Sequence, residues 1–302
     1  LPVDPDVVRR ALVHAIAEER SGWDLLRFSL WGAYLAACLV LLVSRNGIGR
    51  SRTYVLLGAV VVFGVLLGST PNPMEAVVKC FKLARGMETG LLNKAVILAL
   101  FSVMAVVGSK LICGWGCQLG VLQDSIHRLS PFKRIKRWQV PFWLANSVRV
   151  VLFLLFLDFL FGGLFGVENF VIYRHVNFFK LYRGGLAPLP LALLPVLALL
   201  SLVVYRPFCQ FICPFGLYSW VLENLSLYRV RVDESLCTDC DKCVKACPTE
   251  AMKARTHYDR KIFLPDCWAC GACVDACPKN AVSFDLTSPF RPATAVRSAD
   301  GG

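Results

Sequence analysis

Five runs of this chain, residues 28–43, 54–67, 95–112, 148–165 and 186–205, are almost free of charge. Each approaches the roughly 20 residues that an α-helix needs to cross about 30 Å of hydrocarbon. One such run can be the core helix of a soluble protein, but five leave too little polar surface for a water-soluble fold. The chain has 302 residues, 56% hydrophobic and 18% charged, with a mean hydropathy of +0.56. That is more apolar than soluble domains usually are. The expected fold class is an α-helical integral membrane protein of about five transmembrane helices, followed by a small α+β domain described below. The transmembrane domain is expected over residues 28–228, after an extracytoplasmic segment at 1–27. Pro188, Pro190 and Pro195 predict that the fifth run bends at its start or begins at the interface.

Basic residues crowd the first and third connections: Arg45, Arg50 and Arg52, then Lys110, Arg128, Lys133, Arg134, Lys136 and Arg137. The positive-inside rule makes these loops cytoplasmic, although Lys79, Lys82 and Arg85, and Arg174, Lys180 and Arg183, weaken the contrast. The net charge of +12 then reads as topology and contact with anionic lipid, and nucleic acid is not expected as a partner.

The last third carries two copies of one pattern, Cys237-x-x-Cys240-x-x-Cys243-x-x-x-Cys247-Pro248 and Cys267-x-x-Cys270-x-x-Cys273-x-x-x-Cys277-Pro278. This is the spacing by which bacterial-type ferredoxins hold a pair of [4Fe–4S] clusters, the fourth cysteine of each run reaching across to the other cluster. One cluster is therefore expected on Cys237, Cys240, Cys243 and Cys277, and the other on Cys267, Cys270, Cys273 and Cys247. Zinc ribbons use two cysteine pairs per site rather than a triplet and a distant Cys-Pro. Short apolar stretches at 230–232, 251–252, 262–264 and 281–284 suit the strands and helices of a ferredoxin domain over 229–286, with 287–302 as a tail. Lys242, Lys245, Lys253 and Lys279 offset the negative clusters and suit the steering of a donor protein. Such clusters are built where thiols stay reduced, and the sequence shows no twin-arginine signal. The domain is expected on the cytoplasmic side of a bacterial inner membrane, the N-terminus outside.

Two further dithiols follow the third and fifth runs: Cys113-Gly-Trp-Gly-Cys117 and Cys209-Gln-Phe-Ile-Cys213-Pro214. If helical, their i, i+4 spacing puts both sulfurs of a pair on one face. Each pair is followed by a similar patch, Gln118-Leu119-Gly120 and Pro214-Phe215-Gly216, which makes a short internal repeat. Small buried packing residues are one reading. A soft-metal site, a further cluster or a redox-active dithiol are the others, and spacing does not choose among them.

Two C-x-x-x-C motifs after membrane spans, followed by a double [4Fe–4S] domain, resemble the NapH/NosR/CcoG-type family of membrane-bound polyferredoxins. Thr70-Pro71-Asn72-Pro73-Met74-Glu75-Ala76 is similar to a segment of NosR-like members. The likeness runs from about Pro71 to Phe284. It implies a respiratory electron-transfer or quinol dehydrogenase component working with an extracytoplasmic reductase, or a role in copper-site assembly. Gln118 stands where the family usually has proline. The flavin domain of NosR-like proteins is not in this sequence, so a flavin, if needed, comes from a partner.

The four histidines, His14, His127, His175 and His257, lie outside the five runs, so intrinsic b-type haem is not expected. A quinone or a partner subunit then has to carry electrons across. Asp158, deep in an apolar run, is costly in lipid and is by default a functional candidate; it is placed to accept a quinol proton or to pair with Arg149. Glu168, Tyr173, Arg174 and His175 cluster after the fourth run, either lining a quinone pocket or docking surface or as an ordinary exposed loop. Cys38 and Cys80 have no assigned role. The leading reading is a membrane-bound iron–sulfur electron-transfer subunit of a respiratory complex. The alternatives are a metallocentre-assembly factor (a copper or thiol reductase) acting through Cys113, Cys117, Cys209 and Cys213, and a structural anchor for another iron–sulfur subunit.

Overall fold

The computed structural model describes residues 22–44, 51–68, 72–87, 91–129, 138–184, 187–257 and 264–286. The fold is mostly helical. Its apolar part holds α1 (Gly22–Val43), α2 (Ser51–Ala59, continued by a π-helical stretch Val60–Leu66), α3 (Pro73–Ala84), α4 (Leu91–Gly108), α5 (Gln118–Leu129), α6 (Phe142–Phe161), a short α7 (Ile172–His175), α8 (Pro188–Val203), α9 (Pro207–Phe211) and α10 (Pro214–Glu223). The C-terminal domain adds β1 (Tyr228–Val232), α11 (Lys242–Ala246), α12 (Ala251–His257), α13 (Ala272–Ala276) and β2 (Val282–Leu286). β1 and β2 pair antiparallel, with Val230 opposite Phe284 and Val232 opposite Val282. The apolar stretches at 230–232, 251–252 and 281–284 thus fall in β1, in α12, and in β2 with the residue before it. Residues 262 and 263 lie outside the described residues.

Among the described residues, two helices are long and apolar enough to cross a membrane, Leu25–Val43 and Phe142–Phe161. The other three expected spans appear as shorter apolar helices, Ser51–Leu66, Lys94–Gly108 and Pro188–Val203. Local chemistry trims them. Helix α4 stops where Ser109 adopts a left-handed φ of 57°, and Arg206 does the same at 50° after α8. Such a conformation costs a residue with a Cβ about 1–2 kcal/mol, so both breaks are held by their surroundings. The prolines of α8 sit in its first turn and at Pro195 inside it, and the helix runs on through Pro195. Helix α6 ends on Gly162 at φ 78°, the left-handed closure that glycine adopts without strain.

Two electrostatic expectations are corrected by the fold. Arg52 and Lys110, counted as loop charges, are each 1% exposed and bound to buried carboxylates, Asp124 and Asp266 respectively. Arg149 pairs with Asp266 at 2.8 Å and Asn146 at 2.9 Å, and not with Asp158. The Asp158 carboxylate instead accepts from the Leu164 and Phe165 amides at 2.5 and 3.4 Å. It closes the turn after α6, where chain donors would otherwise be orphaned.

Helix direction relative to the C-terminal domain alternates. Leu42, near the end of α1, reaches Gly271 of the domain. Helix α6 starts there, its Phe142 amide donating to Glu250 at 2.8 Å. The domain is held on the helices by further part-buried bonds: Gln139 to the Cys247 carbonyl at 2.7 Å, and Trp220 to the Leu264 carbonyl at 2.9 Å.

Candidate metal centres

The two cysteine-rich loops of the C-terminal domain have the same backbone. Asp239 and Asp241 in the first, and Ala269 and Gly271 in the second, take positive φ at equivalent places (47°, 54°, 47° and 75°). Backbone that visits this region can form a concavity lined by N–H groups that suits an anion, a device found at iron–sulfur sites. Three of the four are not glycine, so local strain is accepted to keep this shape. One cavity is lined by Cys237, Cys240, Cys243 and Cys277, and another by Cys247, Cys267, Cys270 and Cys273. The Ala281 amide donates to the Cys277 sulfur at 3.3 Å. Four cysteines per cavity are a donor set that fits a [4Fe–4S] cluster.

The remaining dithiols form one site. Cys113 and Cys209 are each 5% exposed, and Cys117 and Cys213 each 7%. Every one of the six pairings among these four thiols is close enough for mutual electrostatic coupling. Neither motif is a continuous α-helix as its spacing suggested. In the first, the Cys117 amide bonds back to Ile112 O at 2.7 Å, and in the second the Cys213 amide bonds to Phe208 O at 3.1 Å. Both are five-residue turns, and the second cysteine of each is extended and leads straight into the next helix, α5 or α10.

The match extends to the surroundings, each position lying 96 residues after its counterpart. Lys110 and Arg206 precede the motifs by three residues. Lys110 crosses to the Gly216 carbonyl of the second repeat at 2.9 Å, and Arg206 crosses to the Cys113 and Gly114 carbonyls of the first. Gln123 approaches the Cys209 sulfur at 3.7 Å, while its counterpart Ser219 approaches the Cys113 sulfur at 3.8 Å. A Cβ on Gly120 would meet Cys113 O at 3.1 Å, and one on Gly216 would meet Cys209 O at 2.7 Å. A Cβ does not fit at Gly216 without a shift, and at Gly120 it is tight. Gly216→Ala is expected to push the second motif out of place and cost about 1–3 kcal/mol, with Gly120→Ala milder; thermal unfolding in detergent reads the difference.

Burial raises all four thiols above their ordinary range, Cys213 to about 12, with Arg206, Lys110 and Arg149 pulling the other way. Asp124 binds Arg52, Arg206 and Arg128 at 2.8, 2.7 and 2.9 Å. Burial pushes its carboxyl up, but the three guanidinium groups outweigh it and hold the carboxyl well below the usual carboxylate range. Glu223, which accepts from the Cys267 amide at 3.1 Å, is pushed up to about 7 by burial, against Lys110 and Arg255.

The C-terminal domain sits directly on this site. A Cβ on Gly114 would run into the Trp268 carbonyl oxygen, and Trp115 donates to Ala269 O at 2.8 Å. Lys110 and Arg206 both lie over the Trp268 indole, 4.8 and 5.5 Å from its centre. Trp268 falls between Cys267 and Cys270, so the loop of one four-cysteine cavity is also the roof of the dithiol site. Sequence reading had the four motif cysteines but missed Trp268, Asp124, Asp266 and the cation ring. The signal was present in Lys110 and Arg206 at equal distances before the two motifs.

The other candidates are placed elsewhere. Glu168 pairs with Arg85 at 2.9 Å, and His175 stacks on Phe170 with ring centres 4.9 Å apart. Tyr173, expected among exposed loop residues, is 1% exposed. It packs on Phe156 at 5.1 Å and lies within electrostatic range of Cys213. Cys38 is buried in α1, and Cys80 donates weakly to Lys94 O at 3.7 Å.

A family model described as a 4Fe-4S dicluster domain matches residues 229–278, and a second, described as a 4Fe-4S binding domain, matches twice, over 92–137 and 186–226. The second matches cover the two C-x-x-x-C motifs in turn. NapH of Haemophilus influenzae, named a ferredoxin-type protein, is 28% identical over 51% of this chain and 52% of its own length. In these matches the chain is similar to the NapH/NosR-type polyferredoxins. The chain is also similar to YccM of Escherichia coli (strain K12), named for electron transport, 27% identical over 51% of this chain and 45% of YccM. An uncharacterized protein of Methanocaldococcus jannaschii is 24% identical over 75% of this chain and 82% of its own. The match spans about half the length of YccM and of NapH. No solved structure matches this chain.

Proposed function

We propose that this chain is a membrane-bound iron–sulfur subunit of a respiratory redox complex, passing electrons between the quinone pool or a cytoplasmic donor and a partner oxidoreductase. The carrying observation is the seating of the Cys267–Cys273 loop on the buried four-thiol site. In this reading Cys237, Cys240, Cys243 and Cys277 hold one [4Fe–4S] cluster, and Cys247, Cys267, Cys270 and Cys273 hold the other. A bound cluster supplies one-electron exchange at a potential set by exposure and hydrogen bonding. The first set is the outward one: Cys240 is exposed, with Lys242, Lys245 and Lys279 exposed around it, a surface suited to an acidic carrier protein. The second is turned toward the helices.

The alternating helix directions support five membrane crossings, the N-terminus outside and the cluster domain in the cytoplasm of a bacterial cell. Extracytoplasmic partner subunits complete the path. For quinone, Asp158, Glu168 and His175 remain candidates, though Asp158 and Glu168 are engaged in turn closure and an ion pair. An open apolar groove of about 610 Å³ between α3, α4 and α10, lined by Leu83, Ala84, Leu98, Ser102 and Tyr218, is better furnished. Its polar floor is the Ser102–Tyr218 hydroxyl pair at 2.7 Å, next to Ser219 and hence to Cys113. Copper or thiol reduction for assembly of another protein's metal site is the weaker reading, because thiols this buried are out of reach of a client.

The test uses detergent-purified protein under anaerobic conditions. Dithionite is expected to give the EPR of two interacting reduced clusters, and Cys273→Ser to remove one of them. A short-chain quinol should also reduce the wild-type clusters, and Tyr218→Phe should slow that step several-fold. Clusters that dithionite reduces but neither a quinol nor a low-potential donor protein reduces would sink the relay.

A further inference from the structure

The two four-cysteine cavities of the C-terminal domain share a backbone but differ in electrostatic setting. The outward one is lined by Asp239, Asp241 and Lys279 besides its cysteines. The Cys237 sulfur lies 3.6 Å from the Asp239 carboxylate. Asp239 and Lys279 are exposed, so water and salt screen their charges. Among the described residues that line the inward cavity, none is charged. Its charge lies one layer behind, away from water.

That charge is Arg255, on the helix α12 that follows Cys247, and it is 4% exposed. Its Nη1 donates to the Ala251 carbonyl one turn back at 3.1 Å, which fixes the side chain along the helix. Burial works against the guanidinium charge, but Cys267, Glu223, Cys247 and Cys273 outweigh it and hold the group above its ordinary value. Three of the four inward sulfurs are thus within electrostatic range of one buried cation. The fourth, Cys270, is in range of Arg52, which Asp124 answers. The counter-ion of Arg255 is looser. Glu223 stands 3.7 Å away, beyond hydrogen-bond length, and accepts from the Cys267 amide. It also has Arg229 in range, so one carboxylate faces two guanidinium groups. At Cys267 the pull of Arg255 exceeds the push of Glu223. Arg255 Nε has no hydrogen-bond partner among the described residues. A buried cation so weakly matched is costly unless more negative charge stands beside it.

A [4Fe–4S] group on four thiolates is negative, and one-electron reduction makes it more so. Burial alone disfavours the added charge, because desolvation penalises the more charged form. A cation in the same low-dielectric surroundings favours it, and does so more strongly than a cation in water. Charge, hydrogen bonding and exposure are the levers that set such potentials, and here the buried charge differs between two otherwise similar sites. Resting on the electron-transfer reading, we propose that Arg255 sets the potential of the cluster on Cys247, Cys267, Cys270 and Cys273 and holds it above that of the outward cluster. An electron delivered by a donor protein to the outward cluster then passes inward. One electron leaves the first cluster and one enters the second, with no proton moving and no further oxidant. Arg255 thereby makes the step toward the helices the downhill one, which favours the cytoplasmic donor as the source of electrons.

The experiment is a redox titration followed by EPR on anaerobically purified full-length protein, for wild type, Arg255→Gln, Arg255→Met and Arg255→Lys. In half-reduced wild type the unpaired electron is expected in the signal that Cys273→Ser removes. Arg255→Gln should lower the reduction constant of that cluster alone by about tenfold, which is about 59 mV for a one-electron couple. Arg255→Met fills the same space without the charge and should do likewise. Arg255→Lys keeps the charge and should keep most of the potential, a rescue that a packing role for the guanidinium does not give. Should neither uncharged variant assemble its clusters, the half-reduced wild type still decides the order of the two. An electron that settles first on the outward cluster overturns the proposal, as does an assembled Arg255→Gln or Arg255→Met with unchanged potentials. A lysine variant shifted as far as the glutamine one overturns it too. These potentials are read with chemical reductants. Clusters that no donor protein or quinol reduces therefore overturn the relay and leave the effect of Arg255 measurable.

Discussion

Asp124→Ala is expected to destabilise the protein by about 3–5 kcal/mol, the usual cost of stripping one partner from a buried ion pair. The carboxylate is completely buried and answers Arg52 from α2 and Arg206 from the second repeat, so its loss strands two guanidinium groups. It also removes the acceptor of the Tyr205 hydroxyl at 3.0 Å. By contrast, Glu168→Ala breaks an exposed pair with Arg85 and should cost under about 1 kcal/mol. Thermal unfolding in detergent, read with protein yield, separates the two. The same carboxyl gives a pH dependence. Its folded pKa is depressed, so its contribution is complete above its unfolded value of about 4 and is lost as pH falls below that. Wild type should lose stability steeply in that acid range, and Asp124→Asn should lack that part of the slope. An unchanged acid profile would mean that Asp124 is not the group responsible.

Gly114→Val should uncouple the cluster domain from the helices. The glycine lies against the Trp268 carbonyl, so two added methyl groups force the loop away and disturb the neighbouring Trp115–Ala269 bond. Overpacking of this kind costs about 1–3 kcal/mol, spent at the contact and not at the cluster ligands. The expected result is a full complement of ferredoxin clusters in EPR, with quinol-driven reduction of those clusters slowed by tenfold or more. Normal quinol-driven reduction in a folded Gly114→Val protein would show that electrons bypass this contact.

Much of the cluster domain was legible because its chemistry dictates its spacing: Cys-x-x-Cys-x-x-Cys cannot drift without losing a ligand. The apolar runs were equally readable as helices, and all five appear. Their lengths were not, since Ser109 and Arg206 break α4 and α8 through backbone conformations that composition does not reveal. The dithiols were visible as a repeat, but their shape was not. Spacing of four suggested one helical face, whereas the turns close through bonds five residues back. Asp266 escaped notice because its partners, Lys110 and Arg149, are 156 and 117 residues away. Asp158 shows a related limit: a carboxylate in an apolar run is a functional candidate by sequence, and the amides it caps are visible only in the fold. Charge counting along the chain read Arg52 and Lys110 as loop residues because burial is a property of the fold and not of the sequence.

Trp268 lies under cations from both repeats, yet only the first repeat presents Gly114 and Trp115 to its loop. The second repeat meets the same domain with other residues, Glu223 at the Cys267 amide and Trp220 at Leu264 O. Two halves of like backbone thus carry unlike contacts. Gly-Trp-Gly in one motif and Gln-Phe-Ile in the other are then the marks of a division of labour. The symmetric frame ends in an asymmetric seat, and that gives the molecule a direction.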